Sequence, residues 1–271
     1  MQNLNDEAGK KCPVCQSPMH LAFTSQVLKK YSAKYKVCSG CGFLCADEPY
    51  WLEESYSRAI ATADTGLMVR NCSIANRLAC VLYFLIGERG SGRYLDAAGG
   101  YGILTRMMRD FGFNFYWADK YCDNLVASGF EYNKELGDCS AVTAMEVMEH
   151  LADPIAFVKE TFSISGATVL IFTTEIYEGE PPPESWWYYA FPTGQHIGFF
   201  QRRTLEIMAK ELDLYFSSAN GIHILSKVAI NQTLLKIATC RLVYSLAPWW
   251  IRRKLGSKTT SDHQLMLQNI N

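Results

Sequence analysis

Two cysteine pairs near the start of the chain have the spacing of a metal site. Cys12 and Cys15 form one CxxC turn, Cys38 and Cys41 form a second, and 22 residues separate the two. A CxxC turn directs two sulfurs at one ion, and zinc favours four thiolates in a tetrahedron. The sequence therefore predicts a structural zinc ion that folds a small module and does no chemistry, because four cysteines close the coordination sphere. Cys45 is either a spare thiol or an alternative ligand.

A glycine-rich turn follows an apolar strand in RYLDAAGGYGILTRMM, residues 93–108. It has no Lys-Ser or Lys-Thr of the kind a P-loop needs, and no glycine follows Gly102 within three residues, as a dinucleotide fingerprint requires. The strand ends in an acid, Asp96, whose carboxylate repels a pyrophosphate but attracts an ammonium group. S-adenosylmethionine carries an amine with a sulfonium nearby, so we predict this cofactor at the turn.

A second acid, Asp119, ends the strand FNFYWAD, 23 residues after Asp96. An acid at the tip of the second strand binds ribose hydroxyls. That role is common to nicotinamide and S-adenosylmethionine sites, so Asp119 indicates a nucleoside and Asp96 favours the adenosyl cofactor. The alternative for Asp119 is an acid in a surface turn.

These motifs resemble class I S-adenosylmethionine-dependent methyltransferases. The resemblance rests on DAAGGYG (96–102), on Asp119 and on EVMEHLADP (146–154), and it covers about residues 90–230. By this resemblance the cofactor contacts are Asp96, Ala97, Gly99, Gly100, Gly102, Asp119, Lys120, Met145 and Glu146.

The sequence around these motifs is similar to bacterial methyltransferases of sugar and polysaccharide biosynthesis, notably in DKYCDN (119–124) and GQHIGFFQRRTLEIMAKEL (194–212). This resemblance implies O-methylation of a sugar or glycan precursor. A zinc-binding module before such a domain also resembles the deoxysugar C-methyltransferases. Those enzymes carry a further C-terminal domain, for which 271 residues leave no room.

Two histidines and a tyrosine are the candidates for acceptor chemistry. His196 lies where the resemblance places a Glu-His or Gln-His pair facing the substrate. A sugar hydroxyl is a weak nucleophile, and histidine titrates near neutrality, so we predict His196 as general base; alternatively it only hydrogen-bonds a loop. His150 is a substrate-side candidate, or it caps the next helix or pairs with Glu149. Tyr56 is a second catalytic candidate.

The loop PESWWYYAFPTGQH, residues 183–196, holds four consecutive aromatic residues that cannot all enter a core. Aromatic faces stack on sugar rings, so we predict acceptor contacts from Trp186, Trp187 and Tyr188. The alternative is a lid over the cofactor without acceptor contact. Asp64 and Arg70, upstream, are further candidates for cofactor or substrate contact.

An alternation of strands and helices must position these residues. Four apolar strands, beginning at Arg93, Phe113, Ala141 and Ala167, alternate with helices, and a hairpin turning at Asn220-Gly221 follows. With the resemblance, this predicts an α/β fold, a Rossmann-like seven-stranded sheet with helices on both faces. The predicted domains are a zinc ribbon (1–46), a helical connector (47–90), the methyltransferase domain (91–230) and a helical tail (231–271).

The composition of the chain indicates which binding partners and which cellular compartment to expect. The chain is 49% hydrophobic with a net charge of −1, so nothing demands a polyanionic partner. The start, MQNLNDEAGKKC, lacks the pattern of a signal peptide, and the apolar run 79–87 is too short to span a bilayer. Ten cysteines then favour a reducing cytoplasm. The segment 242–256 mixes apolar and basic residues, which fits a membrane interface, a helix packed on the domain or an oligomer contact.

Two other classes of function remain. A zinc ribbon before a methyltransferase domain also occurs in some rRNA enzymes, although the sequence pI of about 6.5, the missing basic stripe and the missing Asn-Pro-Pro-Tyr-type motif disfavour RNA. A binding protein that keeps the cofactor fold without catalysis is the other class. Salt-sensitive RNA binding would indicate the first, and loss of cofactor affinity the second.

Overall fold

The computed structural model describes residues 11–56, 64–86 and 89–268. The chain divides into two compact units, and each is built from separate segments of sequence. The first unit comprises Met1–Arg58, Met148–Val158 and Thr174–Leu214, and the second comprises Ala59–Val147, Lys159–Thr173 and Tyr215–Asn271.

The first unit contains a four-stranded antiparallel sheet in the order β1-β2-β3-β8. Its last strand comes from far along the sequence, and Leu44 of β3 pairs with Phe199 of β8. The segment that holds the cysteine pairs is therefore completed by residues next to His196. The elements are β1 (Met19–Val27), β2 (Tyr31–Cys38), β3 (Leu44–Ala46), α1 (Leu52–Ser55), β8 (Gly198–Phe199) and α5 (Arg202–Glu211).

The core of the first unit is aromatic. Tyr35, Trp51, Tyr189 and Phe199 are all buried in one cluster. The Trp51 indole Nε1 donates a hydrogen bond of 2.8 Å to the Gly194 carbonyl, so the only polar atom of this indole is satisfied inside the cluster. This packing holds the chain immediately before His196 in one conformation.

The second unit contains a six-stranded mixed sheet in the order β5-β4-β6-β7-β10-β9. The first four strands of this order run parallel, and β10 is antiparallel to both β7 and β9. The predicted α/β fold class is confirmed, with a central sheet flanked by helices. The strands are β4 (Arg93–Ala97), β5 (Asn114–Ala118), β6 (Ala141–Ala144), β7 (Val169–Phe172), β9 (Tyr215–Ala219) and β10 (Ile222–Ser226).

The described residues give six strands in this sheet where seven were predicted. At the free edge of β5, Trp117 pairs with Glu131 through a single parallel bridge. Gly129 at φ 86° precedes this bridge, and a short 3-10 helix (Lys134–Leu136) follows it closely. Among the described residues, the place of a seventh strand is taken by this single bridge, which lies between the turn at Gly129 and the 3-10 helix.

Helices cover the sheet through one apolar cluster that includes Leu78, Met108, Ile224 and Ile251. The predicted hairpin is confirmed: Asn220 and Gly221 both have positive φ, at 51° and 76°, as a two-residue hairpin turn requires. None of the described helices combines the length and apolar composition needed to cross a membrane. The helices are α2 (Leu67–Leu85), α3 (Ile103–Phe111), α4 (Pro154–Ser165, which runs from the first unit into the second), α6 (Gln232–Ala238), α7 (Arg241–Leu255) and α8 (Thr259–Gln268).

Candidate functional site

The glycine turn of the second unit is closed on one side and open on the other. A Cβ at Gly99 would lie 2.7 Å from Trp117 Cδ1, whereas a Cβ at Gly100 would meet nothing within 4 Å among the described residues. Gly100 and Gly102 have positive φ, at 53° and 84°, and Gly102 caps α3 at its N-terminus. The backbone at Gly100 is therefore accessible to a ligand beside a helix N-terminus.

Asp119 and Trp117 hold this turn in place. The Gly100 amide donates to Asp119 Oδ2 at 2.9 Å, and the Trp117 indole donates to the Gly100 carbonyl at 2.8 Å. Asp119 Oδ1 also accepts from the amides of Tyr121 and Cys122, at 2.7 and 3.0 Å. The structure thus brings the predicted residues Gly100 and Asp119 together. Trp117 was not predicted, although its position two residues before Asp119 puts it on the same face of β5.

Asp96 lies beneath the turn in the interior, with 2% of its surface exposed. Its two carboxylate oxygens accept hydrogen bonds of 3.0 Å from the hydroxyls of Thr105 on α3 and Thr143 on β6. The structure therefore shows Asp96 tying β4 to α3 and β6. Burial raises its pKa to about 6, and the hydrogen bonds from the two threonines oppose that rise.

The raised pKa of Asp96 predicts a pH effect on stability. The folded protein keeps this proton up to about pH 6, whereas an aspartate in the unfolded chain, with its ordinary pKa of 3.8, has already lost it. The contribution of Asp96 to the free energy of unfolding should therefore fall as pH rises from about 4 to 6, by about 2 kcal/mol. Urea unfolding of the wild type and Asp96→Asn at both pH values checks this. A pH dependence that is equal in the two proteins would contradict it.

Glu146 is fixed by an ion-pair network in the second unit. Arg70 donates from Nε to both Glu146 oxygens, at 2.9 and 3.0 Å, and from its two terminal nitrogens to Asp64, at 2.7 Å each. The hydrogen bonds from Arg70 lower the pKa of Asp64. Glu146 has φ 56°, unusual for a residue with a side chain, and its amide donates to Thr173 Oγ1 at 2.9 Å. The carboxylate of Glu146 is therefore held in one orientation by Arg70.

The remaining predicted cofactor residues lie in three different environments. Ala97 is buried at the end of β4, and Met145 packs against the core of the second unit. Lys120 is exposed and forms an ion pair of 2.7 Å with Glu160. Within the described residues, Lys120 is thus paired at the surface.

Three predicted residues meet in the first unit together with Glu149, which was named only as a partner of His150. The rings of His150 and His196 lie 4.9 Å apart in an edge-to-face arrangement. Ligand atoms of Glu149, His150 and His196 all lie within 4.8 Å of one another. The Tyr56 hydroxyl oxygen is 2.9 Å from His150 Nδ1. We call Glu149, His150 and His196 the Glu-His-His cluster.

Backbone carbonyls orient the rings of both histidines. His196 Nδ1 lies 2.6 Å from the Tyr188 carbonyl and His150 Nδ1 lies 3.0 Å from the Gln195 carbonyl. Because a carbonyl oxygen only accepts, these contacts favour a proton on Nδ1, and the Tyr56 hydroxyl, 2.9 Å from His150 Nδ1, can accept from the same nitrogen. In that tautomer Nε2 carries the lone pair of each ring.

Burial controls the charge of this cluster. It lowers the pKa of His150 to about 3, with a further contribution from His196, so His150 is neutral at physiological pH. Burial also raises the pKa of Glu149, while His196 and hydrogen bonds with Tyr188 and Thr174 oppose the rise. Glu149 is 1% exposed, and its Oε2 has no hydrogen-bond partner among the described residues.

Two of the four consecutive aromatic residues, Tyr188 and Tyr189, lie in the core of the first unit. Tyr188 is buried, and its hydroxyl oxygen accepts from the Glu175 amide at 3.1 Å and lies 3.2 Å from Thr174 Oγ1. Trp186 packs on the rings of Tyr188 and Tyr189. Trp187 is 71% exposed. Of the three residues predicted to bind the acceptor, the structure brings Trp187 to the surface.

The four cysteines of the two CxxC turns form one cluster in the first unit. Their sulfurs lie within 4.8 Å of one another, with Cys12 Sγ 3.6 Å from Cys41 Sγ and Cys15 Sγ 3.4 Å from Cys38 Sγ. Four thiolates bound to zinc at about 2.3 Å stand about 3.8 Å apart, so the separation fits that ion. Cys45 lies in β3 and is not part of the cluster.

The second CxxC turn is hydrogen-bonded to the chain around α5. Thr204 Oγ1 donates to the Cys41 carbonyl at 2.8 Å, and the Tyr177 hydroxyl donates to the Gly42 carbonyl. Ala46, at the end of β3, donates its amide to the Ile197 carbonyl at 2.9 Å. The cysteine cluster and the chain that carries His196 therefore belong to one hydrogen-bonded network.

One protein family and several solved structures are similar to this chain. The family described as "Methyltransferase domain" matches residues 71–218, more than half of the chain. No curated protein matches the sequence. A magnesium protoporphyrin IX methyltransferase from Synechocystis with bound S-adenosylmethionine is similar at 14% identity and a TM-score of 0.41, over 65% of this chain and 91% of that chain.

Two further solved structures are similar at the same level. An O-methyltransferase family 2 protein from Planctomyces limnophilus, in complex with apigenin, has 15% identity and a TM-score of 0.41, over 66% of each chain. A possible histamine N-methyltransferase from Thermotoga maritima has 12% identity and a TM-score of 0.41, over 66% of this chain and 98% of that chain.

Proposed function

The chain belongs to the methyltransferase domain family and is an S-adenosylmethionine-dependent methyltransferase, and we propose that it methylates a hydroxyl group of a sugar or glycan precursor. The observation that carries the proposal is the orientation of the His196 ring, whose Nδ1 lies 2.6 Å from the Tyr188 carbonyl, so that Nε2 is the ring nitrogen left for the acceptor. A hydroxyl acceptor needs a group that removes its proton, whereas an amine does not need one to the same extent.

The second unit offers the residues for the cofactor. The open backbone at Gly100 admits a ligand, and the Asp119 carboxylate at 2.9 Å from that amide is placed to accept from ribose hydroxyls. When bound, S-adenosylmethionine supplies an electrophilic methyl group on a sulfonium. The residues at the turn bind and orient it, and orientation alone supplies much of the rate.

The first unit offers the groups for the acceptor. His196 Nε2 takes the proton of the hydroxyl, and the buried carboxylate of Glu149 stabilises the imidazolium that results. Exposed Trp187 contributes an aromatic face on which a sugar ring can stack.

The four-cysteine cluster holds a structural zinc ion in this proposal. None of the ten cysteines, all within the described residues, forms a disulfide, which fits a reducing compartment such as the cytoplasm. The zinc module orders the segments of the first unit and takes no part in the chemistry, because no coordination position stays open.

Replacing His196 with alanine tests the proposal. Turnover with the sugar acceptor should fall by about 100-fold or more, because a positioned base contributes at least that factor. Affinity for S-adenosylmethionine, measured by calorimetry, should stay within a factor of about two. A screen of nucleotide sugars, free sugars and RNA identifies the acceptor first, and His263→Ala, an exposed histidine, is the control. Unchanged turnover of His196→Ala would remove this residue from the mechanism, and methylation of RNA alone would replace the acceptor.

A further inference from the structure

The Glu-His-His cluster has the ligand set of a metal centre that is separate from the four cysteines. Two imidazole nitrogens and a carboxylate oxygen lie within 4.8 Å of one another, which is close enough for one ion to reach all three. Two histidines and one carboxylate are the protein ligands of several zinc enzymes and of non-haem iron sites. We propose that this cluster binds a divalent transition-metal cation.

The orientation of both rings and an unsatisfied carboxylate oxygen among the described residues support the proposal. Each Nδ1 faces a backbone carbonyl, the Tyr188 carbonyl for His196 and the Gln195 carbonyl for His150. Metal-bound histidines are commonly oriented in this way by a hydrogen bond from the other ring nitrogen. Glu149 Oε2 is buried and has no hydrogen-bond partner in the part of the chain that the structure describes, which is costly for a carboxylate unless a cation or a donor satisfies it.

The ligand types select the kind of cation. Imidazole nitrogen suits zinc, copper, iron and nickel, whereas magnesium and calcium prefer oxygen; manganese favours carboxylate and water oxygen, which the Glu149 carboxylate and open coordination positions supply. The four-cysteine cluster offers only soft sulfur ligands and therefore competes poorly for manganese. Three protein ligands leave coordination positions open, in contrast to the closed site made by four cysteines.

An open coordination position would bind the acceptor hydroxyl, and this step rests on the proposed function. A hydroxyl bound to the cation has a lowered pKa and releases its proton to solvent. The oxygen then forms a bond to the methyl carbon, the carbon–sulfur bond breaks, and sulfur keeps that electron pair. In this step His196 is a metal ligand and not the base, so the cation replaces it as the group that activates the hydroxyl. Methyl transfer that persists without any divalent cation would keep His196 as the base.

Manganese binding tests the site without any activity measurement. Protein with zinc on its four cysteines is titrated with Mn²⁺, and free Mn²⁺ is counted by electron paramagnetic resonance. We expect one bound Mn²⁺ per chain in the wild type, and binding weakened by about 100-fold or more in Glu149→Gln and in His196→Ala. His263→Ala, the exposed control, should bind like the wild type.

Each result of this titration has one meaning. No bound Mn²⁺ in the wild type, with Zn²⁺ and Co²⁺ also confined to the cysteines, overturns the metal site and leaves the proposed methyl transfer intact. Equal binding by the wild type and both variants overturns the ligand assignment. The wild-type stoichiometry needs no variant to fold, and thermal melting shows whether each variant does. If the wild type binds manganese but methylates none of the screened sugar acceptors, the proposed function fails and the metal site stands.

A second surface, on the helical tail, carries an independent inference. From Lys227 to Ser261 the chain contains seven basic residues and no Asp or Glu, although the whole chain has a net charge of −1. On α7 the large side chains at positions 242, 246 and 249 are 72%, 65% and 63% exposed. They recur at the spacing that places them on one face of a helix. We propose that this face binds an anionic membrane surface.

The charge of the tail selects this partner. Arg253 lies 4.2 Å above the Trp249 ring and Lys254 lies 5.7 Å from the Trp250 ring. Tryptophan beside basic residues is typical of helices that lie in the headgroup region of a bilayer. A second copy of the chain would bring seven like charges against seven, so anionic lipid is the better match.

Vesicle sedimentation tests the surface. The wild type should bind vesicles that contain phosphatidylglycerol, release at high salt, and ignore vesicles of phosphatidylcholine. Arg252→Glu with Arg253→Glu, and separately Trp249→Ser, should each weaken binding about 10-fold or more. Tyr121→Ser, at an aromatic residue 90% exposed elsewhere in the unit, is the control. No binding by the wild type, or a dimer that Trp249→Ser dissolves, overturns the proposal.

Discussion

Replacing Cys12 with serine should abolish methyl transfer and lower the melting temperature by about 10 °C, because it removes one of the four ligands of the proposed zinc ion. A structural four-cysteine site contributes roughly 10 kcal/mol of binding free energy in small peptides. Even if about 4 kcal/mol of that reaches the stability of this larger chain, the shift in melting temperature is about 10 °C.

The loss of activity follows from how the first unit is connected. The second CxxC turn accepts hydrogen bonds from Thr204 and Tyr177, and β3 pairs with β8 immediately after His196. A disordered cysteine cluster removes these partners, so the His196 ring loses the frame that orients it. A zinc chelator should have the same effect as the substitution.

Cys72→Ser is the matched control, because Cys72 is exposed and lies outside the cluster. It should keep its zinc, its melting temperature and its turnover. Zinc content is measured by atomic absorption, stability by calorimetry, and turnover by release of S-adenosylhomocysteine. A Cys12→Ser protein that keeps full turnover without zinc would show that the cluster does not support the catalytic residues.

Local patterns predicted the parts of the fold that local interactions determine. The glycine turn, the hairpin at Asn220-Gly221 and α3 follow from glycine, asparagine and hydrophobic periodicity over short stretches. The seventh strand did not follow, and among the described residues its place is taken by the bridge at Glu131, between the turn at Gly129 and a 3-10 helix. The pairing of β3 with β8 was also not predicted, since no local signal joins segments so far apart.

In the candidate site, too, some features follow from local sequence and others depend on the tertiary fold. Gly100 and Asp119 could be placed near each other because the ends of neighbouring parallel strands meet at one edge of a sheet. Asp96 has the residue type of a ligand-binding acid, yet two threonine hydroxyls occupy its oxygens in the interior. The sequence cannot reveal such partners, because Thr105 and Thr143 reach Asp96 only through the tertiary fold. The meeting of Glu149 with His196 likewise depends on tertiary structure.

Replacing Asp119 with alanine should weaken the binding of S-adenosylmethionine by about 100-fold. The carboxylate accepts from three backbone amides, those of Gly100, Tyr121 and Cys122. Each hydrogen bond to a charged group contributes about 1.5–3 kcal/mol, and water recovers part of this in the variant. A net loss of about 3 kcal/mol is a factor of about 100 in the dissociation constant.

Calorimetric titration with S-adenosylmethionine and S-adenosylhomocysteine measures this loss, and Asp123→Ala, an exposed acid of the same segment, is the control. Asp119→Asn separates the two roles of the carboxylate, which are to accept from the amides of the turn and to accept from ribose hydroxyls. The asparagine side chain has one acceptor oxygen, which can serve the turn but leaves no second oxygen for ribose. If Asp119→Asn keeps its melting temperature and binds as weakly as Asp119→Ala, Asp119 contacts the cofactor. If both variants bind like the wild type, Asp119 neither contacts the cofactor nor orders the turn for it, and the nucleoside must be held by other residues around Gly100.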